Sequence, residues 1–151
     1  MSRRTVALSM AVAALVLGGA GAFAVTHTGD RSPALRNTTV RYTAPTADRD
    51  GSLVLTTEVT ASSGVQSLKV LAWPEAGAFA ESAPTEKEMT EVESATCAPA
   101  GDDTARCTYK VPVTPEEAAD SPSGPWHIAT LATAEDGATA FSAKTARFTV
   151  A

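Results

Sequence analysis

Apolar and polar residues alternate with a period of two along most of the chain, which is typical of half-buried β-strands. The clearest run covers residues 53–60, where Leu53, Leu55, Thr57 and Val59 occupy one face. Turn-forming residues separate these runs, including Asp136-Gly137. The pattern therefore predicts an all-β, antiparallel sandwich of about seven strands. The remaining predicted strands are 39–44, 65–73, 93–97, 106–113, 126–134 and 138–150.

Two sequence signals interrupt the strand pattern and predict one or two short helical turns. Thr85 is followed three residues later by Glu88, and Thr114 by Glu117. This spacing is that of a capping box, in which the threonine hydroxyl and the glutamate carboxylate each bond to the other residue's backbone N–H. The first helix is expected to run through Met89.

The third predicted strand carries large apolar residues on both faces. Leu71 and Trp73 fall on the face opposite that of Leu68 and Val70. Two interpretations follow. Either the helix after Thr85 covers Leu71 and Trp73 with Met89 or Val92, or these two side chains form an exposed recognition patch, since exposed aromatic residues often anchor interfaces.

The first 24 residues have the three parts of a secretory signal peptide. Arg3 and Arg4 form a basic start, residues 5–17 are almost entirely apolar, and small residues follow to Ala24. Cleavage is expected after Ala24, or else after Ala22. An apolar run of this length is short for a membrane span, which needs about 20 residues. The alternative is an uncleaved segment that tethers the domain to the outer face of the membrane.

Residues 25–37 lack periodicity and predict a flexible linker, so the folded domain is expected over residues 38–151. Removal of residues 1–24 takes away Arg3 and Arg4 and no acidic residue, which changes the net charge from −5 to about −7. Such an acidic protein is not expected to bind nucleic acid or an anionic membrane, which favour clustered basic residues. No membrane insertion is expected after cleavage.

The two cysteines are expected to form one disulfide, because exported proteins usually oxidise paired thiols. Cys97 and Cys107 enclose residues 98–106, which are rich in turn-forming residues. The expected arrangement is a hairpin loop with the disulfide near its base. The spacing does not fit a redox Cys-x-x-Cys pair or a zinc site.

No constellation of residues indicates catalysis. Of the two histidines, His27 falls in the predicted linker, and His127 follows Trp126 on the face of its strand that is expected to point to solvent. Trp126 itself is expected to pack in the core. Acidic pairs such as Asp48 and Asp50 lie in predicted turns, where carboxylates usually cap the backbone and remain solvated. We therefore predict no catalytic, cofactor-binding or metal-binding residues.

Two stretches resemble secreted bacterial immunoglobulin-like domains: DGSLVL at 50–55 leading to SGVQSLKV at 63–70, and GPWHIAT at 124–130 followed by ATAEDG at 132–137. The segment 39–150 also resembles a small family of secreted actinobacterial-type proteins classed as a domain of unknown function. The similar stretches there are LKVLAWP at 68–74, VESATC at 92–97 and RCTY at 106–109. The resemblance implies an immunoglobulin-like fold and export, and transfers no catalytic residue.

The expected function is that of a secreted, non-enzymatic immunoglobulin-like domain with a binding or structural role at the cell envelope or outside the cell. Its expected partner is another extracellular protein or a cell-envelope polymer. The alternative is a secreted protease inhibitor that presents the loop 98–106 to a protease, with Arg106 beside Cys107.

Overall fold

The computed structural model of the chain describes residues 32–76 and 83–151. The predicted signal peptide, its cleavage sites, His27 and most of the predicted linker lie outside these residues. The described chain confirms the expected number and type of elements. They are β1 (Ala34–Thr43), β2 (Gly51–Thr60), β3 (Val65–Pro74), α1 (Glu86–Met89), β4 (Thr96–Gly101), β5 (Thr104–Val113), α2 (Pro115–Asp120), β6 (Gly124–Ala134) and β7 (Thr139–Val150).

The strands form two antiparallel sheets. The larger sheet has the order β1-β2-β5-β4, and the smaller has the order β3-β6-β7. This order, with strands one, two, five and four facing strands three, six and seven, is that of a constant-type immunoglobulin domain. The predicted immunoglobulin-like sandwich is thus confirmed.

The core lies between the two sheets and is built from the inward positions of each strand. In β2 every second residue is buried, as the alternating pattern predicts. Leu55 of the larger sheet and Leu68 and Ile128 of the smaller sheet are completely buried. Removal of this apolar surface from water is the main force that holds the sheets together.

Strand β1 begins earlier than the predicted start of the domain at residue 38. It begins at Ala34 and buries Leu35 in the core. The pairing with β2 shifts register between Arg36 and Thr39, and Asn37 has a φ of 51°. Such a bulge interrupts the period of two. This interruption, together with the polar composition, explains why residues 34–37 were predicted to belong to the linker and not to a strand.

Both helices begin at the predicted capping boxes. The Thr85 hydroxyl accepts from the Glu88 backbone N–H at 3.3 Å, and the Glu88 carboxylate accepts from the Thr85 N–H at 2.8 Å. Thr114 and Glu117 make the equivalent pair of bonds at 3.1 and 2.9 Å. Each exchange satisfies N–H groups that a helix start leaves without intrahelical partners.

The predicted disulfide is confirmed, but the loop that it was expected to close is not a loop. Cys97 and Cys107 lie directly opposite each other on β4 and β5 and are bonded. Both strands continue past the disulfide and meet at the turn made by Asp102 and Asp103, where Asp103 has a φ of 59°. The prediction of a loop over 98–106 is therefore wrong, because an aspartate in the left-handed region permits a much tighter turn.

The disulfide connects neighbouring strands of one sheet, and we expect its removal to lower the free energy of unfolding. The double variant Cys97→Ala/Cys107→Ala should lose about 2–3 kcal/mol, because the loop that the bond closes in the unfolded chain is short. Urea unfolding of the variant and the wild type measures this loss. The wild type in a thiol reductant should match the variant. An unchanged unfolding midpoint in both samples would contradict the prediction.

Candidate binding face

The outward surface of the larger sheet is an array of mainly hydroxyl-bearing and basic side chains. Its residues alternate with the core positions of β1, β2, β5 and β4, and all are exposed or half-buried. We call this surface the basic face. It comprises Arg36, Thr39, Arg41, Thr43, Ser52, Val54, Thr56, Glu58, Thr60, Thr96, Ala98, Thr104, Arg106, Thr108, Lys110 and Pro112.

The strand registers align four threonines in one row across the basic face. Thr39 pairs with Thr56, Thr56 with Thr108, and Thr108 with Thr96. The row therefore crosses all four strands. Neighbouring strands lie about 4.8 Å apart, so the row presents hydroxyl groups at closely repeated intervals.

A row that contains basic residues lies on each side of the threonine row. On one side Arg36 and Arg106 flank Glu58, and on the other Arg41 and Lys110 flank Val54. Beyond these lie two more hydroxyl rows, Thr60 with Thr104 and Thr43 with Ser52. Hydroxyl rows and basic rows thus alternate along the strand direction.

The charge of the basic face opposes that of the chain. The basic face carries four basic residues and one acidic residue, Glu58, so its own charge is positive. The whole chain has a net charge of −5. Asn37 donates to the Glu58 carboxylate at 2.8 Å and Arg106 donates at 3.1 Å, and these bonds lower its pKa. Glu58 is therefore ionised, and its carboxylate forms an ion pair with Arg106. Within the described residues no ion pair engages Arg36, Arg41 or Lys110.

One end of the basic face adjoins a shallow recess. Gly51 stands at its base, where a Cβ atom would come within 2.6 Å of the Pro45 nitrogen and 2.7 Å of the Ala44 carbonyl carbon. Glycine is therefore needed for the preceding turn to pack against the sheet. The recess is lined by Thr43, Asp50, Gly51, Ser52, Lys110 and Pro112.

The outer face of the smaller sheet is covered, in contrast with the basic face. Met89 of α1 is completely buried and packs with Trp73 and Leu131. Leu71 and Val92 are half-buried at the margin of this cluster. The cover that the sequence predicted over Leu71 and Trp73 is thus present.

Trp73, one of the two residues of the predicted recognition patch, is not exposed. Only 6% of its surface is accessible, and its indole N–H donates to the Ala143 carbonyl at 2.9 Å. Leu71, the other residue, is half-buried. The prediction of an exposed recognition patch at Trp73 is therefore wrong, because α1 and β7 enclose the ring.

His127 lies on the predicted face of β6, but the expectation that it points to solvent is wrong. It is 8% exposed, and its ring stands 4.9 Å from the Trp73 ring. Its Nε2 atom lies 3.2 Å from Glu75 Oε2 without hydrogen-bond alignment and has no hydrogen-bond partner among the described residues. The Glu75 carboxylate also pairs with Arg147 at 3.1 Å. Trp126 is half-buried beside the main core, where its ring lies tilted against that of Phe148 at a centroid distance of 6.0 Å.

Burial lowers the pKa of His127 below its ordinary value of 6.5. The negative charge of Glu75 opposes this effect, and the positive charges of Lys144 and Arg147 add to it. The imidazole is therefore neutral at pH 7 and packed within the sheet. This arrangement is structural and does not place a proton-transfer group at an open cavity.

The described part of the chain does not show the geometry of a metal site, of an inhibitory loop at residues 98–106 or of a membrane-spanning helix. There, no group of three or more histidine, cysteine, aspartate and glutamate side chains is arranged to hold a metal ion. Residues 98–106 form the ends of β4 and β5, which are paired on either side of the turn at Asp102 and Asp103. Arg106 lies on the basic face and forms an ion pair with Glu58. The geometry expected of a projecting inhibitory loop is thus missing at this hairpin. Neither described helix has the length and apolar character needed to cross a membrane.

The basic face was not predicted from the sequence. Its signal was present as threonine, arginine and lysine at alternate positions of β1, β2 and β5, on the side opposite the core residues. Each strand alone reads as an ordinary solvated face. Only the strand registers bring the three sets together.

Comparison with known proteins gives one match. A family model described as a family of unknown function (DUF5707) matches residues 35–132. The matched segment reaches from β1 into β6 and includes the entire basic face. No curated protein and no solved structure matches the chain.

The lowered pKa of His127 predicts a pH-dependent stability. The unfolded histidine takes up a proton near pH 6.5, whereas the folded one resists it. The contribution to the free energy of unfolding is therefore complete above pH 6.5 and is lost as the pH falls toward the folded pKa. The loss amounts to about 1.4 kcal/mol for each unit by which the pKa is lowered.

Urea unfolding between pH 5 and pH 7.5 of the wild type and His127→Phe tests this prediction. The variant keeps an aromatic ring against Trp73 but cannot titrate. The stability of the wild type relative to the variant should fall as the pH decreases from 6.5. Parallel pH profiles for the two proteins would mean that burial does not shift this histidine.

Proposed function

Because the chain belongs to a family of unknown function (DUF5707), we propose its function from the geometry. It is a non-enzymatic immunoglobulin-like binding module, exported from the cell, that acts at the cell envelope or outside the cell. Recognition takes place on the basic face. The observation that carries the proposal is the alignment of hydroxyl and basic side chains across the open side of one sheet.

The difference between the two sheets supports the basic face as the binding surface. The smaller sheet has its outer side occupied by Met89 and the cluster around Trp73. The larger sheet leaves Thr39, Thr108 and Thr96 exposed on a rigid, hydrogen-bonded surface. The backbone that carries these side chains is already ordered by the hydrogen bonds of the sheet, so that little backbone entropy is lost on binding.

The surroundings of the described histidine support a non-enzymatic role. A general base must reach the proton that it abstracts, within hydrogen-bond distance or through one water. His127 is instead enclosed by Trp73 and Glu75 at 8% exposure. The carboxylates of Asp102 and Asp103 lie exposed at a hairpin turn.

Two features support export. Residues 1–24 have the basic, apolar and small-residue parts of a signal peptide. The bonded cysteines Cys97 and Cys107 fit an oxidising compartment, where disulfides form and persist.

Fractionation of producing cells tests the proposed export. The protein should be found in the medium or on the outer side of the membrane, and its amino terminus should begin after Ala24 or Ala22. Retention of the first residues with the domain accessible from outside would indicate the tethered form. Recovery of the full-length chain from the cytosol would contradict export.

A bulky substitution on the basic face should weaken binding to isolated cell envelopes of the producing organism. Thr108→Tyr places a large ring in the centre of the threonine row, while tyrosine remains well suited to a strand. We expect at least a tenfold loss of affinity in a sedimentation assay, which corresponds to about 1.4 kcal/mol.

Thr149→Tyr is the matched control, because Thr149 is also an exposed strand threonine but lies on β7 of the other sheet. Its affinity should stay within about twofold of the wild type. Equal binding by all three proteins would exclude the basic face, and no binding by the wild type would overturn the proposed function.

A further inference from the structure

We infer that the ligand of the basic face is a polyol-phosphate polymer of the cell envelope. Such a polymer is a chain of phosphodiester anions joined by hydroxyl-bearing carbons. The inference rests on the proposed function and names the ligand of the same surface.

Charge complementarity is the first argument. The basic face carries Arg36, Arg41, Arg106 and Lys110 against the single carboxylate of Glu58. The other acidic residues of the described chain lie on the turns, around the two helices, or at the ends and edges of the strands. The face therefore favours an anionic chain, whereas acidic residues outnumber basic ones on the rest of the described surface, including Asp50, which lines the recess with Lys110. Three of the four cations are arginines, whose planar guanidinium groups bind phosphate oxygens in pairs.

The order of the rows is the second argument. Residues two apart on a strand are separated by about 6.8 Å. The outward side chains of β5 therefore follow one another at this spacing. In order they are a hydroxyl, a cation, a hydroxyl and a cation, followed by Pro112. A polyol-phosphate chain that lies along the strands presents anions and hydroxyls in the same alternation. Threonine hydroxyls can both donate to and accept from the polyol hydroxyls.

The chemistry of the basic face disfavours other polyanions. The face lies entirely within the described residues and has no aromatic side chain. Single-stranded nucleic acids gain much of their affinity from bases stacked on aromatic rings, and this face offers no such platform. Its open surface suits an extended chain better than a small phosphate compound, which ordinarily requires a concave site.

A second copy that binds face to face is also a poor occupant. Two basic faces brought together would place Arg36, Arg41 and Lys110 of one copy against those of the other. Like charges placed against each other across an interface weaken binding.

Titration with synthetic glycerol-phosphate oligomers tests the inference. The wild type should bind, and Arg41→Gln/Lys110→Gln should bind at least tenfold more weakly, since charge-assisted hydrogen bonds to phosphate are stronger than neutral ones. The slope of log K against log salt concentration should become about 1.4 units shallower in this variant, because two phosphate contacts are lost, by analogy with single-stranded polyanions. Lys87→Gln/Lys144→Gln, which removes two exposed lysines outside the basic face, should bind like the wild type.

A second arm separates the ligand from the proposed function. Cell walls of the producing organism are used before and after acid cleavage of their phosphodiesters. Binding that disappears after cleavage supports the inference. Binding that persists, but is still weakened by Thr108→Tyr, overturns the polyol-phosphate ligand and leaves the proposed binding function intact.

Three further results would overturn the inference. The first is an affinity for polygalacturonate or for a thymidine oligonucleotide that equals the affinity for glycerol-phosphate oligomers of the same charge. The second is equal weakening by the two double variants. The third is a concentration-dependent dimer that Arg41→Gln/Lys110→Gln abolishes, because the face would then bind a second copy.

Discussion

The burial of β6 on both of its faces is the constraint on which the rest of the structure depends. β6 is the central strand of the smaller sheet, and residues 127–132 are all buried. Ile128 points into the core between the sheets, and Leu131 points to the opposite side. A strand that is apolar on both sides needs a layer on each of them. The larger sheet provides one layer, and Met89 of α1, with Val92, provides part of the other.

This constraint makes the two outer surfaces of the sandwich unequal. The outer side of the smaller sheet receives a helix, whose Met89 packs with Trp73, and the Trp73 ring lies in turn against the neutral ring of His127. The larger sheet has no such requirement, because β2 alternates strictly between buried and half-buried residues. Its outer side is left for polar side chains. The surface available for recognition follows from where the apolar residues had to be covered.

Features whose partners are close in sequence were predictable. The capping boxes at Thr85 and Thr114 and the turn at Gly137, whose φ is 91°, each require only a few neighbouring residues. The disulfide followed from the presence of two cysteines in a chain whose first 24 residues predict a signal peptide. The strand count and the sandwich followed from the period of two in the apolar positions.

Features that depend on distant residues were not predictable. His127 is buried because Trp73 and Glu75 arrive from another strand, and its own neighbours in sequence do not reveal this. The threonine row needs the registers of three strand pairs, and a shift of one residue in any pair would turn its members into the core. The candidate site therefore belongs to the tertiary structure, even though each of its residues was visible in the sequence.

The distribution of charge gives the basic face a meaning beyond that of a solvated sheet. Threonine suits exposed strands through its β-branched side chain, so β-propensity alone would account for a threonine-rich surface. Solubility would be served equally well by carboxylates, which this chain uses on its turns and helices. Neither consideration explains why four basic residues gather on the open face around one carboxylate, Glu58. The net charge of −5 averages over this separation and conceals it. A cationic surface on an acidic domain opposes face-to-face contact between two copies and raises the local concentration of anions, and the proposed ligand would use this separation of charge.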